Sequence, residues 1–305
     1  MLPVFISLAG FPITSFGLFL TLAFLLSMFY IWRAAQIYEI DSERLLDLFF
    51  LTTFVSFITA RIYFLAFHLD FLSDPIKIIL FNRYPGFSFW GGLIGGSLGL
   101  WFFSKRFKLN LWQVFDFAIV GLFIGIVLAS FGCLLGSCQY GVETNGPLAV
   151  TQFGLIGSRF PVQAIESILF LLGFLYLWKK LLRFHFAGSI TALGLMLLGI
   201  FKFLLEFARA DVVLMPFFQF SFGFLWAFLL FLLGIRIYYR QARKSLKADL
   251  GFILSLSVSS NRRKLVVSTF KKSCYNLVIN FKFLVRDKKR GLFKSLNVKP
   301  NPTKF

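Results

Sequence analysis

Apolar residues in this chain run in blocks instead of alternating with polar ones. Seven blocks stand out, at roughly 12–32, 45–67, 87–104, 111–136, 161–182, 186–208 and 216–239. Most approach or exceed the ~20 residues with which an α-helix crosses a bilayer core. They are apolar on every side, and a helix without a polar face belongs in lipid or in a protein interior. The pattern predicts an all-α polytopic membrane bundle of about seven transmembrane helices. Block 87–104 is short and rich in glycine, so a tilted or broken helix is expected there. The first block lacks a basic leader and a small-residue cleavage site, so it is expected to stay in place as a helix.

The segments between the blocks predict a small extracytoplasmic cap. Residues 68–86 carry Asp74-Pro75 and Tyr84-Pro85-Gly86. Residues 137–160 carry Gly141, Asn145-Gly146-Pro147, Gly154 and Gly157-Ser158. These are turn-forming residues, and turn-rich loops over a rigid body commonly carry function.

Composition supports a membrane protein: 58% hydrophobic and 20% aromatic residues, with a mean hydropathy of +0.80. The net charge of +19 is unevenly spread. From Arg240 onward there are 17 Lys/Arg against 2 Asp/Glu, so most of the excess lies in the tail. The chain therefore divides into a membrane domain over 1–240 and a basic tail over 241–305. The tail is expected to be attracted to anionic lipids of the inner leaflet; it carries no nucleic-acid motif, and no nucleic-acid partner is expected. Arg33, Arg44, Lys105, Arg106, Lys108, Lys179, Lys180, Arg183 and the tail fall on one side of the bundle, against Lys77, Arg83 and Arg159 on the other. The positive-inside rule places the first set in the cytoplasm, and an odd number of spans then places the N-terminus outside.

Three cysteines exclude a disulfide scaffold. Cys133 and Cys138 close the fourth block. They are either small, half-buried residues or, if that end faces an oxidising compartment, a bridge. No histidine lies near them, so no metal site is expected.

Few ionisable groups sit within the apolar blocks, and each is costly there unless it has a partner or a wet cavity. Lys202, Glu206 and Arg209 are spaced to share one helix face near the outer end of the sixth block. They read either as a salt-bridge ladder with snorkelling ends or as a cationic pocket for a phospholipid headgroup. Arg61, in the outer half of the second block, needs a carboxylate, a carbonyl cage or a phosphate. A buried pair with Glu166 or Glu206 is its simplest structural role. His68, seven residues on, is a weak candidate base. Gly91 and Gly92 open the third block. They permit close helix packing or close approach of a ligand to the backbone.

Taken in order, these segments resemble the prolipoprotein diacylglyceryl transferase family over about residues 10–240. Arg61-Ile62-Tyr63 is similar to the family's Gly-Arg-x-Gly-Tyr. Pro85 to Gly92 is similar to Gly-Gly-x-Ser-Phe-His-Gly-Gly, with Trp90 in place of the histidine. Gly132 to Gly141 resembles the family signature in its cysteine-bearing variant. There Ser130 takes the place of an arginine, Cys133 of an asparagine and Cys138 of a glutamate. Phe160 to Glu166 resembles His-Pro-x-Gln-x-x-Glu. Lys202-x-x-x-Glu206-x-x-Arg209 resembles Arg-x-x-x-Glu-x-x-Arg. Phe16 stands where the family has a tyrosine.

The resemblance implies transfer of diacylglyceryl from phosphatidylglycerol to the cysteine thiol of a lipoprotein precursor, in a bacterial plasma membrane, without metal or organic cofactor. It assigns catalysis to Lys202, Glu206 and Arg209. It assigns substrate binding to Arg61, Gly91, Gly92, Gly141, Gln163 and Glu166. The substitutions leave a catalytically silent lipid- or peptide-binding relative as the second reading.

Overall fold

The structure is a computed structural model that describes residues 4–8, 11–68, 86–147, 149–152, 154, 156–183, 185–211, 214–215, 218–243 and 249. Among these residues seven helices follow one another: α1 Ser15–Ile37, α2 Ser42–Phe67, α3 Phe89–Arg106, α4 Leu111–Gly136, α5 Val162–Leu181, α6 Ser189–Glu206 and α7 Phe222–Ala242. Each coincides with one predicted block. Six of them are long and apolar enough to cross a membrane, against about seven spans expected; α3 is the exception, an 18-residue helix that runs unbroken where a tilted or broken one was expected. The tail beyond residue 243, with the third cysteine, Cys274, lies outside the described residues except for Asp249. So does most of the predicted loop 68–86, with Lys77 and Arg83.

Helix starts are written in local chemistry. Thr14, Asp41, Ser88, Asn110 and Ser221 each precede a helix and accept a backbone N–H of its first turn through a side-chain oxygen. This satisfies donors that would otherwise be orphaned. The seventh block departs most from its predicted start. Its first residues, Phe218–Ser221, pair with Leu214–Met215 as a short hairpin, so the helix begins at Phe222 and not near 216. Alternation in Phe218-Gln219-Phe220-Ser221 is the period of a strand. Two further small hairpins join Val4–Leu8 to Phe11–Thr14 and Val150–Thr151 to Ser158–Arg159.

The principal helix contacts pair α1 with α4, α2 with α3, α4 with α5 and α6 with α7. In the most apolar windows of α4 and α6, 56% of residues are buried, against 22% in α1, α2 and α7. The core therefore lies around α4 and α6, where Phe123, Phe170, Leu177, Ile190 and Leu198 are fully enclosed. The outward faces carry Phe54, Leu98, Phe102, Ile168 and Phe228, as lipid contact requires.

Glycine settles the closest approach. On the α2–α3 seam, a Cβ at Gly91 would lie 2.8 Å from the Thr59 carbonyl oxygen and would also clash with Tyr63. The Ser56 hydroxyl donates to the Gly92 carbonyl at 2.7 Å. Gly91 and Gly92 thus pack α3 closely against α2.

The connections at one end are short: 38–41, 107–110 and 182–188. This end carries Arg44, Lys105, Lys108 and Lys180, and is called the basic end here. Helix α6 begins there after Gly188, which has no side chain to cap it. Asp116 from α4 does so instead. Its carboxylate accepts from Gly188 N at 2.7 Å and from Thr191 N and Oγ1 at 2.6 Å each. His185 Nε2 stands 3.8 Å away. Tyr38 donates its phenol proton to the Leu181 carbonyl at 2.5 Å, closing the same corner.

Candidate active site

The other end of the bundle gathers the remaining buried charges. Glu166, one turn into α5, directs both oxygens into the protein. Lys202 Nζ on α6 donates to Oε1 at 2.5 Å, and Ser130 Oγ on α4 donates to Oε2 at 2.9 Å. Three helices thus meet on one carboxylate. The Lys202 ammonium also lies 4.2 Å from the centre of the Phe89 ring and 5.9 Å from that of Phe170. Such ring faces stabilise a desolvated cation.

One turn beyond Lys202, Glu206 closes α6. It accepts a hydrogen bond from Ser221, the residue that caps α7. A Cβ at Gly223 would collide with its carboxylate. Glu206 therefore lies against the amino end of α7, where the helix dipole favours an anion. Its other oxygen is 3.7 Å from Arg209 Nη1.

Arg209 is not on the face of α6 that its spacing suggested. The helix ends at Glu206, and residues 208–210 run extended against 140–142: Val142 N donates to Ala208 O at 3.0 Å and Ala210 N to Tyr140 O at 3.1 Å. Those backbone bonds stop the helix. Gly141 sits at the crossing, with the Ala208 carbonyl and Val162 so close that a Cβ would stand 3.1 and 2.9 Å from them. Gln163, fully buried, ties the same corner through Nε2 to Cys138 O at 2.5 Å and accepts from Gln152 Nε2 at 3.4 Å. Gly141 and Gln163 are thus the frame that places Arg209. Cys133 and Cys138 form a disulfide across the end of α4.

The Arg209 guanidinium makes its two best bonds to Asp211, Nε to Oδ1 at 3.0 Å and Nη2 to Oδ2 at 3.1 Å. Burial by itself would make the guanidinium easier to deprotonate. The Asp211 hydrogen bonds and charge, with Glu206 and Glu166 behind them, outweigh it and raise the pKa above the ordinary arginine value.

Arg61 is built into the α2–α3 pair. It donates from Nη1 to the Gly86 carbonyl at 2.8 Å and lies over the rings of Phe64 and Phe87. The expected pair with Glu166 or Glu206 is not formed, because Lys202 and Arg209 take those carboxylates. Phe87 and Phe89, two residues apart, link Arg61 to Lys202. Trp90 stacks on Trp226, whose indole N–H donates to Tyr63 Oη at 3.1 Å. The His68 ring stacks on Phe64 and hydrogen-bonds the Phe64 carbonyl.

Sequence reasoning thus found the four charges of the cluster and missed three neighbours: Ser130 as a donor to Glu166, Ser221 as the seat of Glu206, and Asp211 as the partner of Arg209. The available signals were a lone serine after the alternating Phe218-Gln219-Phe220 and an acid two residues past an arginine.

The family model for prolipoprotein diacylglyceryl transferase matches residues 3–240. The chain belongs to this family. Among its relatives, the phosphatidylglycerol–prolipoprotein diacylglyceryl transferase of Finegoldia magna is 26% identical over 206 residues, covering 67% of this chain and 82% of the relative. That of Streptococcus pneumoniae serotype 4 is 28% identical over 254 residues, covering 79% and 95%. The family match covers all seven helices except the last two residues of α7, and the whole buried cluster with them.

Proposed function

We propose that this diacylglyceryl transferase family member moves the diacylglyceryl group of phosphatidylglycerol to the lipobox cysteine thiol of a lipoprotein precursor, the first step of lipoprotein maturation. The observation that carries the reading is the ion cluster of Glu166, Lys202, Glu206 and Arg209, buried at one end of a membrane bundle of this family.

The reaction forms a bond from sulfur to the glycerol carbon and breaks that carbon's bond to the phosphate ester oxygen. The electron pair leaves with glycerol phosphate. Its second ionisation lies near pH 6, so the departing monoester can take up the proton the thiol gives away. Thiolate and leaving group both call for fixed positive charge. Lys202 and Arg209 supply it, Glu206 seats Arg209, and Glu166 holds Lys202. Arg61 anchors the headgroup side. On the substrate-binding side, Gly91 and Gly92 hold α3 tightly against α2, and Gly141 and Gln163 hold the corner that carries Arg209.

The site end faces outward, with the N-terminus outside and the C-terminus in the cytoplasm. Loop charge and the Cys133–Cys138 bridge, which needs an oxidising compartment, both support this orientation. Residues 1–240 form the transferase, and the tail 241–305 contacts anionic lipids of the inner leaflet. The substrates are phosphatidylglycerol and the precursor's signal peptide.

Purified protein in vesicles containing labelled phosphatidylglycerol should yield a thioether-linked diacylglyceryl peptide from a lipobox peptide. Binding of the peptide without transfer would instead identify a silent relative. Asn145→Cys should react with an impermeant thiol reagent added outside, and Phe107→Cys should not.

A further inference from the structure

The cluster holds more negative than positive charge. Lys202 and Arg209 face Glu166, Glu206 and Asp211. A phosphodiester entering this arrangement would meet three carboxylates around two cations, so one carboxylate has to yield. Glu166 is fixed by Lys202 and Ser130 from two other helices, and Glu206 by Ser221 at the start of α7. Their side chains are 4% and 5% exposed, whereas that of Asp211 is 22% exposed. Asp211 lies outside any helix, and among the described residues its carboxylate bonds to Arg209 alone.

The geometry of that pair carries the argument. Two parallel N–H···O bonds from one edge of the guanidinium fork are how arginine grips a carboxylate, and also how it grips a phosphate. Asp211 thus fills the position that two phosphate oxygens would take.

We infer that Asp211 is a placeholder anion: it fills the Arg209 fork when no lipid is bound and yields it to the phosphate of an anionic phosphoglycerol headgroup. The inference rests on the reading of Arg209 as the phosphate ligand given above. Asp211 then sets the affinity of the site for phosphates. It keeps the guanidinium ordered and charged between turnovers. By returning to the fork it helps expel glycerol phosphate, which carries one more ionisable oxygen than the lipid it came from and would otherwise be held more tightly. A carboxylate that only braced Arg209 would act in the opposite direction, because losing it would weaken phosphate binding.

The test is the sign of the change in KM. Asp211→Asn keeps the shape and removes the charge. In phosphatidylglycerol vesicles it should lower KM for the lipid by roughly two- to fivefold, the scale of a partly exposed ion pair. Inhibition by free glycerol phosphate should strengthen by a similar factor and exceed that by inorganic phosphate, with kcat unchanged or reduced. Asp211→Ser, which discards both shape and charge, carries the same expectation and serves if the amide variant fails to fold. An unchanged or raised KM in a folded variant overturns the proposal. Arg209→Gln separates the two ideas. If it leaves KM and kcat untouched, Arg209 is not the phosphate ligand and the underlying reading fails. If it is impaired while Asp211→Asn leaves KM unaltered, only the placeholder fails.

Discussion

Both ends of the bundle bury carboxylates, and they satisfy them by opposite means. At the basic end, Asp116 accepts from two backbone amides and a hydroxyl, all belonging to the first turn of α6 or the residue before it. At the site end, Glu166 takes an ammonium and a hydroxyl from two other helices, and Glu206 shares Arg209 with Asp211. An acid cradled by neutral donors fixes backbone and offers nothing to a ligand. An acid paired with side-chain cations fixes those cations and can share them with an incoming anion. The same functional group, a carboxylate, thus makes a clamp at one end and a site at the other, and the identity of the donors tells them apart.

The largest expected effect comes from separating Glu166 from its cation. Lys202→Ala would leave a buried carboxylate uncompensated, which typically costs about 3–5 kcal/mol of stability. Loss of charge toward the leaving phosphate should also slow transfer by about 2–4 kcal/mol, or roughly 30- to 1000-fold. The double variant Glu166→Gln/Lys202→Met removes the stranded charge, so it should recover much of the melting temperature and none of the turnover. Lys202→Arg should keep or raise the rate, since a guanidinium adds two-pronged binding. An unchanged rate for Lys202→Ala would remove this residue from the chemistry and reduce the site end to a second clamp.

At the basic end the forecast has the opposite shape. Asp116→Ala leaves the Gly188 and Thr191 donors without their acceptor inside the protein, at about 1–3 kcal/mol for each buried group left unsatisfied. Melting temperature should fall while the rate per folded molecule holds. A selective loss of turnover would mean that the two ends are coupled and that the comparison is too simple.

Much of this was legible in the sequence, and the rest was hidden for specific reasons. The seven helices follow from apolar blocks that lipid leaves no alternative but to coil. Glu166, Lys202, Glu206 and Arg209 were visible because charge is rare in such blocks. What failed was partner choice. The spacing of Lys202 and Glu206 suggested a pair along one helix, but Glu166 from α5 takes the lysine, and only the tertiary packing decides that. Arg209 was placed on a helix face because periodicity cannot see that residues 140–142 capture the backbone of 208–210. Ser221 was lost inside an apolar block whose first residues form a hairpin. Gly91 and Gly92 were ambiguous in sequence; that Thr59 and Tyr63 crowd Gly91 while Ser56 meets Gly92 is tertiary packing that the sequence pattern does not carry.

A smaller effect attaches to the disulfide. Closing a five-residue separation restrains the unfolded chain by about 2 kcal/mol in the loop-entropy view. Cys133→Ser/Cys138→Ser, or reduction, should lower thermal stability by that order. Because the Cys138 carbonyl accepts from Gln163, a modest rise in KM should accompany it. Full activity with unaltered melting would separate the bridge from the frame of the site.

The smallest effect tests the basic end by pH. The Tyr38 phenol donates to Leu181 O and lies 3.4 Å from His185 Nδ1. Burial, and then the negative charge of Asp116, push its pKa above the ordinary tyrosine value of 10.0. The folded state therefore prefers the protonated phenol more than the unfolded chain does. That contribution is complete below about pH 10 and is lost as pH rises through the higher folded-state value. Tyr38→Phe should cost about 0.5–1.5 kcal/mol at neutral pH, the net worth of one hydrogen bond, and should leave transfer unchanged. The stability gap between wild type and variant should then narrow above pH 10, because only the wild type has this proton to lose. Melting curves of the two proteins in the same detergent between pH 7 and pH 11 would measure it. A gap that stays constant with pH would show that the phenol proton does not hold this corner, leaving Asp116 as the clamp without Tyr38.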